Sequence, residues 1–285
     1  MSPLLALGVL AALGSSLLYS GGAALQALEA RDCPSAYGLH TTLIRRLVTR
    51  PRWILGTSFV LGGWGLQAVS LLLAPVTIVQ PTLAVGLIAL LLIGLRLLDE
   101  RVGRQEILGV AAILVGVTGL ALTAPESSSE HASSPVLGVA LLAFAVVALA
   151  PYAFRSHRYL GVLVIVSGGV AYAWTGFSTN FAGDALSSGR WLVFGLWMAA
   201  TVGAALIGLL SEMTAFQHGP VTHVFPVMLV VQIVIAVALS PLLAGEGWGA
   251  TPLDGFALAA SLAVVTMGAA FLAGGRGVGA AMASG

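Results

Sequence analysis

Apolar residues in this chain come in long unbroken runs, and polar residues are confined to the gaps between them. A helix needs about 20 apolar residues to cross a bilayer core. Nine runs approach or exceed that length, at 3–28, 53–73, 76–98, 105–123, 135–154, 159–181, 191–217, 220–243 and 255–273. Trp53, Tyr159 and Trp191 open runs where interfacial aromatics are expected. Pro75 and Pro220 stand where a missing N–H costs a helix nothing. The segment 36–52 breaks the pattern: Leu39, Leu43, Ile44 and Leu47 recur at helical spacing with arginines on other faces, which predicts an interfacial amphipathic helix. Residues 124–134 form a polar linker, and 274–285 a Gly/Ala-rich tail expected to be flexible. The first run lacks a preceding arginine and exceeds a signal-peptide core, so it is expected to be retained as a helix.

One stretch occurs twice. Residues 66–81 and 211–226 align at a shift of 145 positions, which sets Pro75 on Pro220, Thr77 on Thr222, Pro81 on Pro226 and Gln67 on Glu212. A second echo pairs Gly14-Ser15-Ser16-x-x-Tyr19 with Ser167-Gly168-Gly169-x-x-Tyr172. Two matches in the same order predict two halves on one plan, 1–123 and 135–273. The repeated stretches lie five runs apart, an odd number, so the second half is expected to be inverted relative to the first.

Composition narrows the class. The chain is 58% hydrophobic and 8% charged, whereas about a quarter of residues in a soluble domain are charged. The expected fold is an all-α polytopic membrane protein with nine transmembrane helices in two inverted repeats. The basic residues are all arginines, so a Walker lysine, Schiff-base chemistry and Ser-Lys catalysis are excluded. Cys33 stands alone, which rules out an intrachain disulfide and a Cys-rich metal site. Basic residues do not cluster among aromatics, so nucleic acid is not an expected partner; the lipid bilayer is. With nine spans, eleven arginines fall on one side and Arg190 alone on the other. That predicts a cytoplasmic carboxyl terminus and an external amino terminus in the cell membrane.

The segment Ala74-Pro75-x-x-x-Val79-Gln80-Pro81, followed by Asp99-Glu100-Arg101 and the Gly-rich run 109–122, resembles the drug/metabolite transporter superfamily. Gly219-Pro220, Pro226 and Gly245-Glu246 repeat the pattern. Gly14-Ser15-Ser16 and the shortened region after the first run look most like its nine-helix branch, with EamA-like and NIPA-type members. The resemblance implies a ten-helix inverted-repeat fold with one helix absent and 36–52 in the gap. It does not imply magnesium, cofactor or enzymatic activity.

Glu212 is the acidic residue set deepest in an apolar run, eight positions before Pro220. At 1.5 Å per residue that is about 12 Å inside the helix end. An ionisable group at such depth costs about 2.5–3.5 kcal/mol and should face a cavity or a partner, which makes Glu212 a candidate proton-coupling group or cation ligand. Gln67 mirrors it. Pro81 and Pro226 lie inside runs and free the carbonyls of Thr77 and Thr222, so both prolines are candidate hinges and both threonines candidate site residues. Gln80, His223, Tyr19 and Tyr172 complete the candidate substrate or coupling-ion set, while His218 is expected at the surface. Asp99-Glu100-Arg101 is expected to cap the following helix rather than form a gate. The Arg45–Arg52 group is expected to anchor the chain to anionic lipid. Gly62-Gly63-x-Gly65 and Gly116-x-x-Gly119 predict close helix packing.

The expected function is secondary transport of a small metabolite or drug-like compound, in the export direction, by alternating access. The alternatives are a magnesium or other divalent-cation transporter and a non-transporting assembly partner in a cell-envelope complex. No catalytic motif for a membrane enzyme is present.

Overall fold

The computed structural model describes residues 3–123, 134–154, 160–243, 253 and 255–274, without the side chains of Val76, Thr77, Ser134, Pro135 and Gly138. Most of the polar linker, Glu246 and the tail beyond Gly274 lie outside the described residues. The helices run in the order α1 (Pro3–Arg31), α2 (Thr41–Leu47), α3 (Pro51–Leu73), α4 (Val76–Ala84), α5 (Gly86–Leu97), α6 (Arg104–Thr123), α7 (Ser134–Ala153), α8 (Leu160–Ser187), α9 (Trp191–His218), α10 (Val221–Leu243) and α11 (Phe256–Ala273).

Eight stretches among the described residues are long and apolar enough to cross a membrane: α1, α3, Ile78–Leu97 across α4 and α5, α6, α8, α9, α10 and α11. A shorter apolar stretch, Val139–Ala153, lies within α7. Leu10, Leu61, Trp64, Leu72, Val139, Leu142, Trp191 and Leu192 are all more than 60% exposed. An apolar surface this extensive is stable against acyl chains and not against water, so the chain is a multi-pass membrane protein.

Helix pairing follows the small residues, because lipid-facing helices are apolar all round and only close backbone approach discriminates between neighbours. The most extensive pairings are α1 with α3, α8 with α9, and α6 with α11. Between α6 and α11, a Cβ added at Gly116 would meet the Val265 amide at 2.7 Å, and one at Gly268 would meet the Gly109 carbonyl at 2.7 Å. Of the predicted cluster on α3, Gly63 is in tight contact, with an added Cβ 3.2 Å from the Ser15 carbonyl, whereas Gly65 faces open space.

The third run is broken. α4 ends at Ala84, three residues beyond Pro81, Val85 interrupts the helix, and α5 begins at Gly86. α1 crosses at the break: an added Cβ on Gly86 would lie 2.8 Å from the Ser16 carbonyl, and the Ser20 hydroxyl donates to the Gly86 carbonyl at 2.6 Å. α10 differs, running through Pro226 without interruption. A helix break thus accompanies Pro81 but not Pro226.

The amphipathic α-helix after α1 is shorter than expected, Thr41–Leu47, and follows a single 3-10 turn at Ser35–Tyr37. Leu39 precedes it in the left-handed region at φ 56°. Leu39, Leu43 and Leu47 are fully buried in one cluster with Met213 and Phe216 of α9, so this face seals protein rather than lipid.

Candidate functional site

The two echoed tyrosines meet the two echoed polar residues. The Tyr19 hydroxyl on α1 donates to Gln67 Oε1 on α3 at 2.9 Å. The Tyr172 hydroxyl on α8 donates to Glu212 Oε2 on α9 at 2.6 Å. Beneath each ring lies a glycine one helical turn before the polar residue. An added Cβ at Gly208 would strike the Tyr172 ring at 2.7 Å, and one at Gly63 would stand 3.4 Å from Cγ of Tyr19. Glycine lets the ring lie flat on the neighbouring backbone so that the hydroxyl reaches a group one turn further on. The two pairs share no hydrogen bond with each other.

Glu212 differs from the other buried acids. Four glutamates, Glu29, Glu100, Glu106 and Glu212, are buried among the described residues. Glu29 pairs with Arg50 at 2.8 Å, Glu100 with Arg31, and Glu106 with His223 at 3.1 Å. Among the described residues Glu212 has only the phenol of Tyr172. A carboxyl buried without a countercharge stays ionised only at high cost. It is satisfied by a proton, a cation or a ligand's basic group.

A second polar cluster closes the end of the bundle where α1 finishes. Asp99 takes the left-handed conformation at φ 51° and turns the chain after α5. The next residue, Glu100, then points into the start of α10, accepting from the Val221 amide at 2.8 Å, the Thr222 amide at 3.0 Å and the Thr222 hydroxyl at 2.5 Å. These amides have no partner within their own helix, and a carboxylate is favoured there by the aligned peptide dipoles. Arg31 binds the same carboxylate and donates to the carbonyls of Phe216 at 3.4 Å and Gly219 at 3.2 Å. The α9–α10 turn is therefore held at both its negative and its positive helix terminus. Gly94 permits this approach, since an added Cβ would collide with the Thr222 methyl.

Beside this clamp, Glu106 is the third residue of α6 and accepts from the Gly103 amide at 2.7 Å, the reciprocal half of a capping box. Its other oxygen meets His223 Nε2, while His223 Nδ1 is buried without a hydrogen-bond partner. Further bonds between the halves gather at the same end. The Leu39 amide donates to Thr214 Oγ1 at 2.9 Å, Gln217 Nε2 to the Cys33 carbonyl at 3.2 Å, and Trp53 Nε1 approaches Met213 Sδ at 3.3 Å.

The candidate residues thus separate into three places. Tyr19 with Gln67 and Tyr172 with Glu212 form two pairs within the bundle. Thr222 and His223 belong to the end clamp, where Thr222 serves Glu100 rather than an open carbonyl site. Gln80 is half-buried on α4, and the Thr77 side chain lies outside what is described. His218 is exposed, as expected. The capping role read for Glu100 holds, but the helix is α10, 121 positions away in sequence, rather than the adjacent α6. Arg31 and Glu106 were not among the sequence candidates. Glu106 had a local signal, a carboxylate at the third position of a helix; Arg31, at the end of its run, had none.

Two cavities lie away from the tyrosine pairs. One, of about 160 Å³, is apolar and lies between α7, α8 and α9 around Phe144, Trp174 and Ile207. The other, of about 470 Å³, is lined by Thr42, Arg45, Arg46, Thr49 and Arg50.

No family model and no solved structure matches the chain. It is similar to an uncharacterized protein of Corynebacterium glutamicum, 25% identical over 273 residues, which covers 91% of this chain and 92% of that protein.

Proposed function

We propose that this chain is a secondary transporter that moves a small molecule by alternating access, with Glu212 as the residue that binds the substrate's cationic group or the coupling proton. The observation that carries the reading is the Tyr172–Glu212 pair, a buried carboxyl on a spanning helix with a phenol and no base beside it. Such a group is costly in a purely structural role, and intramembrane carboxyls of this kind line substrate and proton paths.

The inverted-repeat reading draws support from the packing. α1 lies on α3 as α8 lies on α9, and each pair carries one tyrosine-to-polar hydrogen bond above one glycine. On this reading α7 is the ninth span. It runs antiparallel to α8, with the Ser167 hydroxyl donating to the Ala148 carbonyl at 2.6 Å and Phe144 stacked 4.9 Å from Trp174. The counterpart of α7 would then precede α1 on the ten-helix plan, and residues 32–50 would be an insertion matching the short turn between α8 and α9, not the remnant of a lost helix. The arginine bias supports a clamped end on the cytoplasmic side and an amino terminus outside. The clamp of Arg31 and Glu100 would then hold that side shut, with substrate release or entry requiring it to part.

The test is a thermal-shift screen of purified wild type and Glu212→Gln against amines, amino acids, sugars, nucleotides and Mg²⁺ at two pH values. The glutamine keeps an oxygen to accept from Tyr172 but carries no charge. Stabilisation by one class that is lost in Glu212→Gln supports the reading and names the substrate class. A response to Mg²⁺ alone would select the divalent-cation alternative, and no response to any class would favour the assembly-partner role.

A further inference from the structure

We infer that the groove formed by α2 and the turn after it is a binding site for a phosphate-bearing anion, and that its occupant in the membrane is the headgroup of an anionic phospholipid. The groove is open to the outside, offers about 470 Å³, and its lining contains three arginines, two threonines and no acid. That volume exceeds what a phosphate ester needs, and arginine forks match phosphate oxygens two at a time.

The three arginines differ in their commitments. Arg50 is fixed by Glu29 at 2.8 Å, lies 3.7 Å from Asp32, and donates to the Glu29 carbonyl. Arg46 stands over the Tyr37 ring, 5.7 Å from its centroid, which orients its guanidinium without neutralising it. Arg45 has no acidic partner among the described residues. Two cations are therefore available to a ligand while the third holds the floor of the groove in place.

Position argues for lipid as the source. α2 lies between the end of α1 and the start of α3, both spanning helices, so the groove sits at the level where they leave the bilayer. Leu43 and Leu47 are fully buried beneath it, which turns Arg45 and Arg46 outward. Juxtamembrane arginines are attracted to anionic leaflets, and a concave group of them can hold one headgroup rather than a diffuse layer.

The experiment uses the full chain in a neutral detergent. Binding of phosphatidylglycerol and of phosphatidylcholine is measured by native mass spectrometry for wild type, R45Q/R46Q and R52Q, with a parallel titration by inorganic phosphate. Arg52 is exposed and lies outside the groove lining, so R52Q reports the effect of charge alone. An arginine near an anionic surface strengthens binding roughly fivefold, so the double variant should bind phosphatidylglycerol about thirtyfold more weakly. R52Q should stay within a fewfold of wild type, and phosphatidylcholine should bind weakly to all three. If inorganic phosphate binds with the same loss in R45Q/R46Q, the anion site stands and its occupant is a soluble phosphate. Equal retention of phosphatidylglycerol by wild type and R45Q/R46Q, or an equal loss in R52Q, would overturn the inference. Both substituted positions are exposed, so R45Q/R46Q should keep the wild-type unfolding profile, which is measured as the control.

Discussion

Replacing Glu100 by alanine removes a carboxylate that accepts from two backbone amides and one hydroxyl of α10 and pairs with Arg31. Its side chain is 5% exposed, whereas that of Arg31 is 28% exposed. Hydrogen bonds to a charged group are each worth about 1.5–3 kcal/mol, but they are not additive and Arg31 can recover some hydration. Breaking one partner of a buried pair costs about 3–5 kcal/mol, which is the expected loss for Glu100→Ala. Glu100→Gln keeps an oxygen for one helix amide and should lose about half as much. Cys33 provides a reporter, since it is the sole cysteine, is 4% exposed, and sits at the clamped end with its carbonyl bonded to Gln217. If the clamp governs local opening, the rate of Cys33 modification by a neutral maleimide should follow the open population, at tenfold per 1.4 kcal/mol. Glu100→Ala should then react at least a hundredfold faster than wild type in detergent, with Glu100→Gln between them. A change of less than threefold in Glu100→Ala, with a native unfolding profile, would refute the claim that this carboxylate holds the end closed.

Three further outcomes follow from the same geometry. Gly208→Val places its Cβ against the Tyr172 ring and should cost about 1–3 kcal/mol, whereas Gly203→Ala, which meets open space in mid-helix, should be neutral or stabilising by up to about 1 kcal/mol; denaturant titration of both decides. Gly116→Val meets the backbone of α11 and should separate α6 from α11, which a limited-proteolysis comparison with Gly65→Ala would reveal. Tyr172→Phe removes the donor that the described residues give a buried carboxyl and leaves that group unsatisfied, which should destabilise by about 1–3 kcal/mol, while Tyr19→Phe loses a neutral bond worth about 1 kcal/mol. A double-mutant cycle of Tyr172→Phe with Glu212→Leu, which removes the acceptor, should recover most of the first cost, and additive losses would contradict the pairing.

Hydropathy, readable along the chain, determined which segments are apolar enough to enter the membrane. Eight of the nine runs anticipated stretches long and apolar enough to cross a membrane, Pro75 and Pro220 stand immediately before α4 and α10, and Leu43 and Leu47 lie on one buried face. The echo that set Gln67 on Glu212 and Tyr19 on Tyr172 also located both halves of the two tyrosine pairs, though not that each tyrosine would reach its own polar partner. Partner choice was decided by tertiary structure. Glu100 serves α10, Glu106 serves His223 117 positions away, and Arg31 serves the end of α9. The reason is physical. Transfer into lipid depends on each segment's own composition, so it is written locally. Helices that are apolar on every face carry no stripe to indicate their neighbours, so adjacency is set by where backbones can approach and where buried charges find partners. For Glu100, Glu106 and Arg31 the partners lie more than a hundred positions away, and both conditions are met only once the helices have packed.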